Sequence, residues 1–360
     1  GGLTPGAYQN RLGNPHLKWE TSEQTNIGMD ARLLRGKLTA TFDWYNKTTK
    51  DWLVQAPVLA TAGADAPYIN GGNVINKGIE LMLSYSGEAG QLRYTVSGNG
   101  AYNRNTVTNI PTADGIIHGS TNTVFVNAGE FNRVQTGFPV GYFWGLKTNG
   151  VFQSEEEINN YQSGEGKLVQ PNAKPGDLRY VDADGNGVID DKDKSMIGNP
   201  TPKYTFGFNI QLNSRGFDFA VQANGVAGND IVQSYRDPGG FQNYTRYTLN
   251  RWHGPGSSNT LPRLDETGSN WVNFSDIYLQ KGDFLRISNL TLGYDFAKLL
   301  KVKSINQLRL YAAALNAFTI TKYTGMDPEV GYGGNAWTTG VDIGYYPRPR
   351  TYMVGLNVKF

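Results

Sequence analysis

Segments of strictly alternating apolar and polar residues recur along this whole chain, and they constrain its fold more than any other feature. In Tyr204-Thr205-Phe206-Gly207-Phe208-Asn209-Ile210-Gln211-Leu212 one set reads Tyr, Phe, Phe, Ile, Leu and the other Thr, Gly, Asn, Gln. The last segment places Tyr352, Val354, Leu356, Val358 and Phe360 on one side and Thr351, Met353, Gly355, Asn357 and Lys359 on the other. Leu38, Ala40, Phe42 and Trp44 alternate with Thr39, Thr41, Asp43 and Tyr45. Ile79, Leu81, Leu83 and Tyr85 alternate with Glu80, Met82, Ser84 and Ser86, where Met82 is the one lapse. Comparable patterns fall near 22–34, 92–103, 217–226, 284–297 and 306–319. Successive side chains of a strand point to opposite faces, so period two means strands with two unlike faces.

Two architectures fit such strands. A soluble sandwich buries the apolar face and wets the polar one, whereas a membrane barrel turns the apolar face to lipid and the polar face to a lumen. Three features favour the barrel. The segments approach membrane-spanning length. Aromatic residues sit near their ends (Trp44, Tyr45, Tyr85, Tyr102, Tyr204, Phe217, Tyr294, Phe296, Tyr352, Phe360), as interfacial girdles do. The connections alternate between short (Leu34-Arg35-Gly36, Gly87 to Gly90, Asn213 to Gly216, and near 298–305) and long (56–74, 106–202, 228–283, 324–347).

Outer-membrane barrels have short periplasmic turns and long outer loops. Counting back from Phe360 at the periplasmic end places every short turn inside and every long connection outside, across about nine strands. This requires that 106–202 stay out of the wall, with Gly141-Tyr142-Phe143-Trp144-Gly145-Leu146 as an outside hairpin. An odd count, in a class where single chains have even counts, implies that N-terminal sequence is missing; Gly1-Gly2-Leu3-Thr4-Pro5 reads as loop interior, not as a signal peptide.

Composition narrows the function. There is no cysteine, which excludes disulfide scaffolds and cysteine metal or redox sites. The net charge is +2 with scattered basic residues, which speaks against nucleic acid. The three histidines lie far apart, and no nucleophile elbow or phosphate loop is present, so nothing specific supports an enzyme. Glu155-Glu156-Glu157 reads as a solvated loop or short helical turn.

The chain resembles the C-terminal part of the SusC/RagA-type TonB-dependent transporters of the Bacteroidetes outer membrane. The resemblance rests on Asn14-Pro15-His16-Leu17-Lys18-Trp19-Glu20-Thr21, Gly137-Phe138-Pro139-Val140-Gly141-Tyr142-Phe143-Trp144-Gly145, Lys174 to Tyr180, Asp182 to Asp190, Ile197 to Pro202, Phe284 to Tyr294, and Pro349-Arg350-Thr351-Tyr352, in one order along almost the whole chain. It implies an all-β fold: an antiparallel transmembrane barrel of about 22 strands, plugged at its N-terminal side. Residues 1–360 would then be the C-terminal part of that barrel domain, with 106–202 an extracellular region and the plug absent. It further implies import of oligosaccharides or peptides, driven through TonB and aided by a SusD-type surface lipoprotein. The alternatives are a soluble or surface-exposed carbohydrate-binding sandwich braced by calcium, and a secreted glycosidase.

The sharpest chemical motif is Asp182-Ala183-Asp184-Gly185-Asn186-Gly187-Val188-Ile189-Asp190-Asp191-Lys192-Asp193, which matches a 12-residue calcium loop of the EF-hand type. Asp182, Asp184 and Asn186 fall at positions 1, 3 and 5, and Gly187 at the sharp turn. Val188 would offer its carbonyl, Asp190 would act directly or through water, and Asp193 closes the loop where Glu is usual. A hard cation needs this density of oxygens, while a metal-free Gly/Asn/Asp turn has similar composition. The reading is a structural clip in an outside loop. For substrate, the loop aromatics Tyr142, Phe143, Trp144, Tyr244, Trp252, Trp271 and Trp337 could stack on sugar rings, pack the loops together or contact a lid protein.

Overall fold

The computed structural model describes all residues except 1–7, 56–57, 59–60, 62, 120, 126–127, 236–244, 266–268, 301–303 and 332–337. Among the described residues the dominant element is one antiparallel sheet of nine strands in simple meander order. The strands are β1 (Thr21–Leu33), β2 (Leu38–Lys50), β3 (Asn73–Ala89), β4 (Leu92–Asn109), β5 (Tyr204–Ser214), β6 (Phe217–Ala227), β7 (Phe284–Asp295), β8 (Gln307–Thr321) and β9 (Thr351–Lys359). β4 pairs directly with β5, so the long intervening segment leaves the sheet and returns to it without crossing. The sheet does not close on itself: β1 pairs only with β2 and β9 only with β8.

Register carries the alternation of each strand across the whole sheet. Ile27, Trp44, Ile79, Tyr102 and Tyr204 form one row, and Met29, Phe42, Leu81, Gly100 and Phe206 the next on the same face. On the opposite face Arg32, Thr39, Ser84, Ser97, Asn209 and Gln222 line up. Met82 does lie on that polar face, between Thr41 and Asn99. In β7 the apolar positions change parity, from Leu285 and Ile287 to Leu290 and Leu292. A register shift at Ser288 explains this, because one extra residue returns the following side chains to the correct face.

The apolar face is uncovered. Ile27 is 64% exposed, Leu81 46%, Phe208 52% and Leu292 53%. A sandwich would bury these rows under a second sheet; among the described residues none lies on them, which disfavours the sandwich alternative. Paired rings edge the face, Tyr102 with Tyr204 at 5.3 Å near one end and Tyr85 with Tyr94 at 5.9 Å near the other. Tyr45 is a correction to the expected girdle. It occupies the polar face and donates to Asn103 Oδ1 at 3.0 Å.

The short turns are tight. Arg215 (φ 50) and Gly216 (φ 92) make a two-residue turn of the primed type, whose twist suits a hairpin. β3 runs on to Ala89, leaving only Gly90 and Gln91 between the strands. Ala297–Leu300 forms one helical turn before β8; residues 301–303 of the expected short connection lie outside the described residues. On the polar face Arg309 binds Asp218 through two hydrogen bonds, Nε to Oδ1 at 2.7 Å and Nη2 to Oδ2 at 2.5 Å. The pair spans β7 above Gly293, where a Cβ would stand 2.6 Å from both partners.

The long connections fold rather than trail. Leu53–Gln55 pairs with Tyr68–Asn70, and Thr148–Val151 with Leu178–Tyr180. A four-stranded sheet runs in the order Ser195–Gly198, Tyr142–Gly145, Asn132–Gln135, Ile116–His118. The run 141–146 is therefore not a hairpin, as its sequence led us to expect, but one strand hydrogen-bonded on both sides. Asp230–Gln233 joins Leu279–Lys281 and Val341–Asp342, which come from two different connections. The most deeply buried apolar cluster (Val124, Phe125, Ala128, Phe131, Phe143, Val232, Phe274, Tyr278, Val341) draws on three connections at once. This inverts a soluble protein. The large apolar side chains of the sheet are exposed, and the hydrophobic core lies in the loops.

Candidate functional site

The loop 182–193 is fixed between two of these small strands, Leu178–Tyr180 before it and Ser195–Gly198 after it. Its backbone folds around its own carboxylates. Asp182 accepts from Gly185 N (Oδ1, 2.8 Å) and Gly187 N (Oδ2, 2.9 Å). Gly187 has φ +76, the left-handed region that a side chain disfavours, and this turns the chain sharply. Asp193 is 2% exposed; its two oxygens accept from Ala183 N at 2.7 Å and Asp190 N at 2.8 Å. Asp184 accepts from both nitrogens of Asn186.

The result is a convergence of three carboxylates. Ligand-type oxygens of Asp182, Asp184 and Asp193 lie within 4.8 Å of one another. Among the described residues none of the three has an ion-pair partner; the nearby Lys194 binds Asp191 instead, at 2.6 Å. Like charges at this separation repel, and a buried carboxylate without a cation is costly. The arrangement fits a hard divalent cation. Asp190 stands outside the convergence and caps the short helix 191–193 by accepting from Lys192 N at 2.7 Å. Asn186 uses its side-chain oxygen to accept from Val188 N at 2.8 Å.

The aromatic candidates are dispersed. Tyr142 and Phe143 are fully buried; the Tyr142 hydroxyl donates to Gln135 Oε1 at 2.5 Å and its ring stacks on Phe138 at 4.8 Å. Burial raises the Tyr142 pKa to about 12. Trp144 is half-buried under the Arg133 guanidinium, 4.0 Å from the ring. Trp252 packs against Leu146, Val151, Leu178 and Tyr180 and donates to Gln153 Oε1 at 3.1 Å. Trp271 meets Tyr278 edge-on at 5.5 Å. These rings hold the loops together. Tyr244 and Trp337 lie outside the described residues.

Sequence reasoning missed a second polar centre. Arg286, on the polar face of β7, is 3% exposed and reaches a connection about forty residues on. Its Nη2 binds Asp327 Oδ1 at 2.6 Å, its Nη1 binds Glu329, and its Nε donates to Thr319 Oγ1 at 3.0 Å. Arg348 Nε contacts Glu329 at 3.2 Å. Burial alone would raise the Asp327 carboxyl pKa, but the Glu329 N–H and the Arg286 guanidinium outweigh it and hold it below the usual range. A cavity of about 360 Å³ beside this network is lined by Arg286, Asn316, Thr319, Asp327, Arg348 and Arg350. The available signal was an arginine on the polar side of β7, whose one other charged residue, Asp295, stands at the far end of the strand.

The expected turn at Glu155 is a short helix, Glu155–Asn160, whose N-cap Ser154 Oγ accepts from Glu157 N at 3.2 Å. Its acidic first turn complements the helix N-terminus.

Comparison with known proteins agrees with this architecture. The family model described as "TonB dependent receptor-like, beta-barrel" matches residues 1–225. The chain is 30% identical over 356 residues to TonB-dependent receptor P3 of Formosa agariphila, covering 96% of this chain and 35% of the relative. It is 27% identical over 353 residues to TonB-dependent receptor SusC of Bacteroides thetaiotaomicron, covering 96% and 32%. The solved structure of the RagAB peptide transporter superposes with a TM-score of 0.76 at 25% identity, covering 97% of this chain and 36% of that one. The chain spans about a third of the length of the curated relatives it matches.

Proposed function

This chain belongs to the TonB-dependent receptor β-barrel family of the outer membrane, and on that premise we propose that it forms part of the wall and outer loops of a nutrient importer. The cargo class is oligosaccharides or peptides, and the energy comes through TonB. The observation that carries the reading is the pair of unlike faces in register across nine strands. An apolar face uncovered over its whole extent is stable against acyl chains, and the polar face behind it can line an aqueous path. The loops, folded on their own core, form a rigid outer mouth on which a SusD-type lipoprotein can seat. A neighbour described as a peptide transporter supports the peptide class.

The test is uptake by cells producing the intact receptor. Deleting the receptor or TonB should abolish import of at least one member of a panel of oligosaccharides and peptides, and the tagged receptor should carry a surface lipoprotein through detergent purification. Unchanged import of the whole panel would overturn the reading.

Within the mouth, Asp182, Asp184 and Asp193 would hold calcium, aided by Asn186 and the Val188 carbonyl, with Asp190 available directly or through water as the sixth candidate. The ion would neutralise the converging carboxylates and clip the two strands flanking the loop. Substrate contacts would fall to half-buried rings such as Trp144, Trp252 and Trp271, to Trp337, or to Tyr142 if the loops rearrange.

A further inference from the structure

Above the girdle row of Trp44, Ile79, Tyr102 and Tyr204, two residues further along β3 and β4 toward the long loops, the apolar face carries a charged rung. Lys77 of β3 stands directly opposite Arg104 of β4, on the same face as Ile79 and Tyr102, and both are exposed. Like charges directly opposite each other destabilise a sheet. Nearby carboxylates do not relieve the pair. Glu23 is taken by Lys50 at 2.5 Å and Asp230 by Lys281 at 2.7 Å, and among the described residues no acidic group pairs with Lys77 or Arg104. Arg104 also lines a cavity of about 630 Å³ whose other lining residues include Tyr102, Lys203, Asp230 and Lys281. Lys203 is likewise exposed and has no ion-pair partner among the described residues.

We propose that this rung and cavity bind the phosphate headgroup of a membrane lipid in the leaflet facing the long loops. The inference rests on the apolar face meeting lipid. Two cations fixed opposite each other, with a third across the cavity, match a phosphate by charge. The Arg104 guanidinium can hold two phosphate oxygens at once, and Lys77 adds a point charge. Below the rung, the paired Tyr102 and Tyr204 rings and the exposed Ile79, Leu81 and Phe208 offer an apolar track for the acyl chains. Phosphate above and hydrocarbon below is the polarity of one lipid standing in its leaflet, which a soluble anion would not need.

Native mass spectrometry of the intact receptor in detergent tests this with monophosphoryl lipid A and its dephosphorylated form as probes. The phosphorylated lipid should be retained selectively. In the double variant Lys77→Gln, Arg104→Gln its retention should fall roughly twenty-five-fold, about fivefold for each cation removed from an anionic surface. Glu23→Gln with Lys50→Gln, on the same face but mutually neutral, should change little. Inorganic phosphate in excess should not displace the lipid. Equal retention of both lipids, an unchanged double variant, or displacement by inorganic phosphate would each overturn the proposal. A double variant that no longer needs detergent would instead count against the membrane wall itself.

Discussion

Arg286→Ala is expected to lower the stability of the intact receptor by about 3–5 kcal/mol, the loss typical when one partner of a buried ion pair is removed. The guanidinium is nearly inaccessible and is the meeting point of Asp327, Glu329 and Thr319. Deleting it strands the buried Asp327 carboxylate and leaves Glu329 only the exposed Arg348 at 3.2 Å, so most of the loss is the uncompensated charge left behind. Two further variants separate this from simple loss of packing. Adding Asp327→Asn and Glu329→Gln to Arg286→Ala should restore part of the stability, because the stranded charges go. Arg286→Lys should fall between, since an ammonium cannot reach both acids in fork geometry. Asp327 ionises more readily folded than unfolded, so its contribution is present above the ordinary aspartate range and is lost as pH falls through its depressed value. Denaturant unfolding of detergent-solubilised receptor measures all of this. A loss below about 1 kcal/mol, the scale of an exposed pair, would contradict the assignment.

Calcium removal is the second large effect. If the loop 182–193 holds the ion as proposed, calcium a thousandfold above its dissociation constant contributes about 4 kcal/mol to the folded state. Chelation should lower the melting temperature of the receptor, and added calcium should restore it. Magnesium should not, because it demands tighter octahedral geometry and dehydrates reluctantly. Asp193→Ala should abolish the response and should also cost stability on its own, since Ala183 N and Asp190 N lose their acceptors. An unresponsive wild type, or a variant that responds as fully as the wild type, would contradict the calcium reading.

How much of this was legible in the sequence depended on how local the cause was. Strand faces are set by neighbours two residues apart, so the nine strands and the long excursion between β4 and β5 could be read directly, although β4 runs on to Asn109, past the expected exit at 106. The loop around Asp182 is contained within 12 contiguous residues, and its spacing alone brings three carboxylates to one point. The partners of Arg286 lie 41 and 43 residues away, beyond any periodic signal. The loop core was equally hidden: Phe131 meets Phe274 edge-on at 5.7 Å, and Thr148 Oγ1 donates to Asp276 Oδ1 at 2.7 Å across 128 residues. Aromatics in such loops look like ligand platforms in sequence, and only the fold shows that Tyr142 and Phe143 face inward. Tyr45 looks like a girdle residue because it lies near a strand end, although its own parity places it on the face opposite Trp44.

In the barrel wall one face of the nine-stranded sheet meets lipid and the other meets water. This chain has no cysteine, so single cysteines can be placed in it at will. Spin labels at Phe208 and Asn209, and at Leu83 and Ser84, in the receptor reconstituted into bilayers report which face each position occupies. The expected result is that labels at Phe208 and Leu83 collide with oxygen dissolved in the bilayer and are shielded from a water-soluble nickel complex, while labels at Asn209 and Ser84 show the reverse. The same accessibility at neighbouring positions, or nickel access at Phe208, would contradict it.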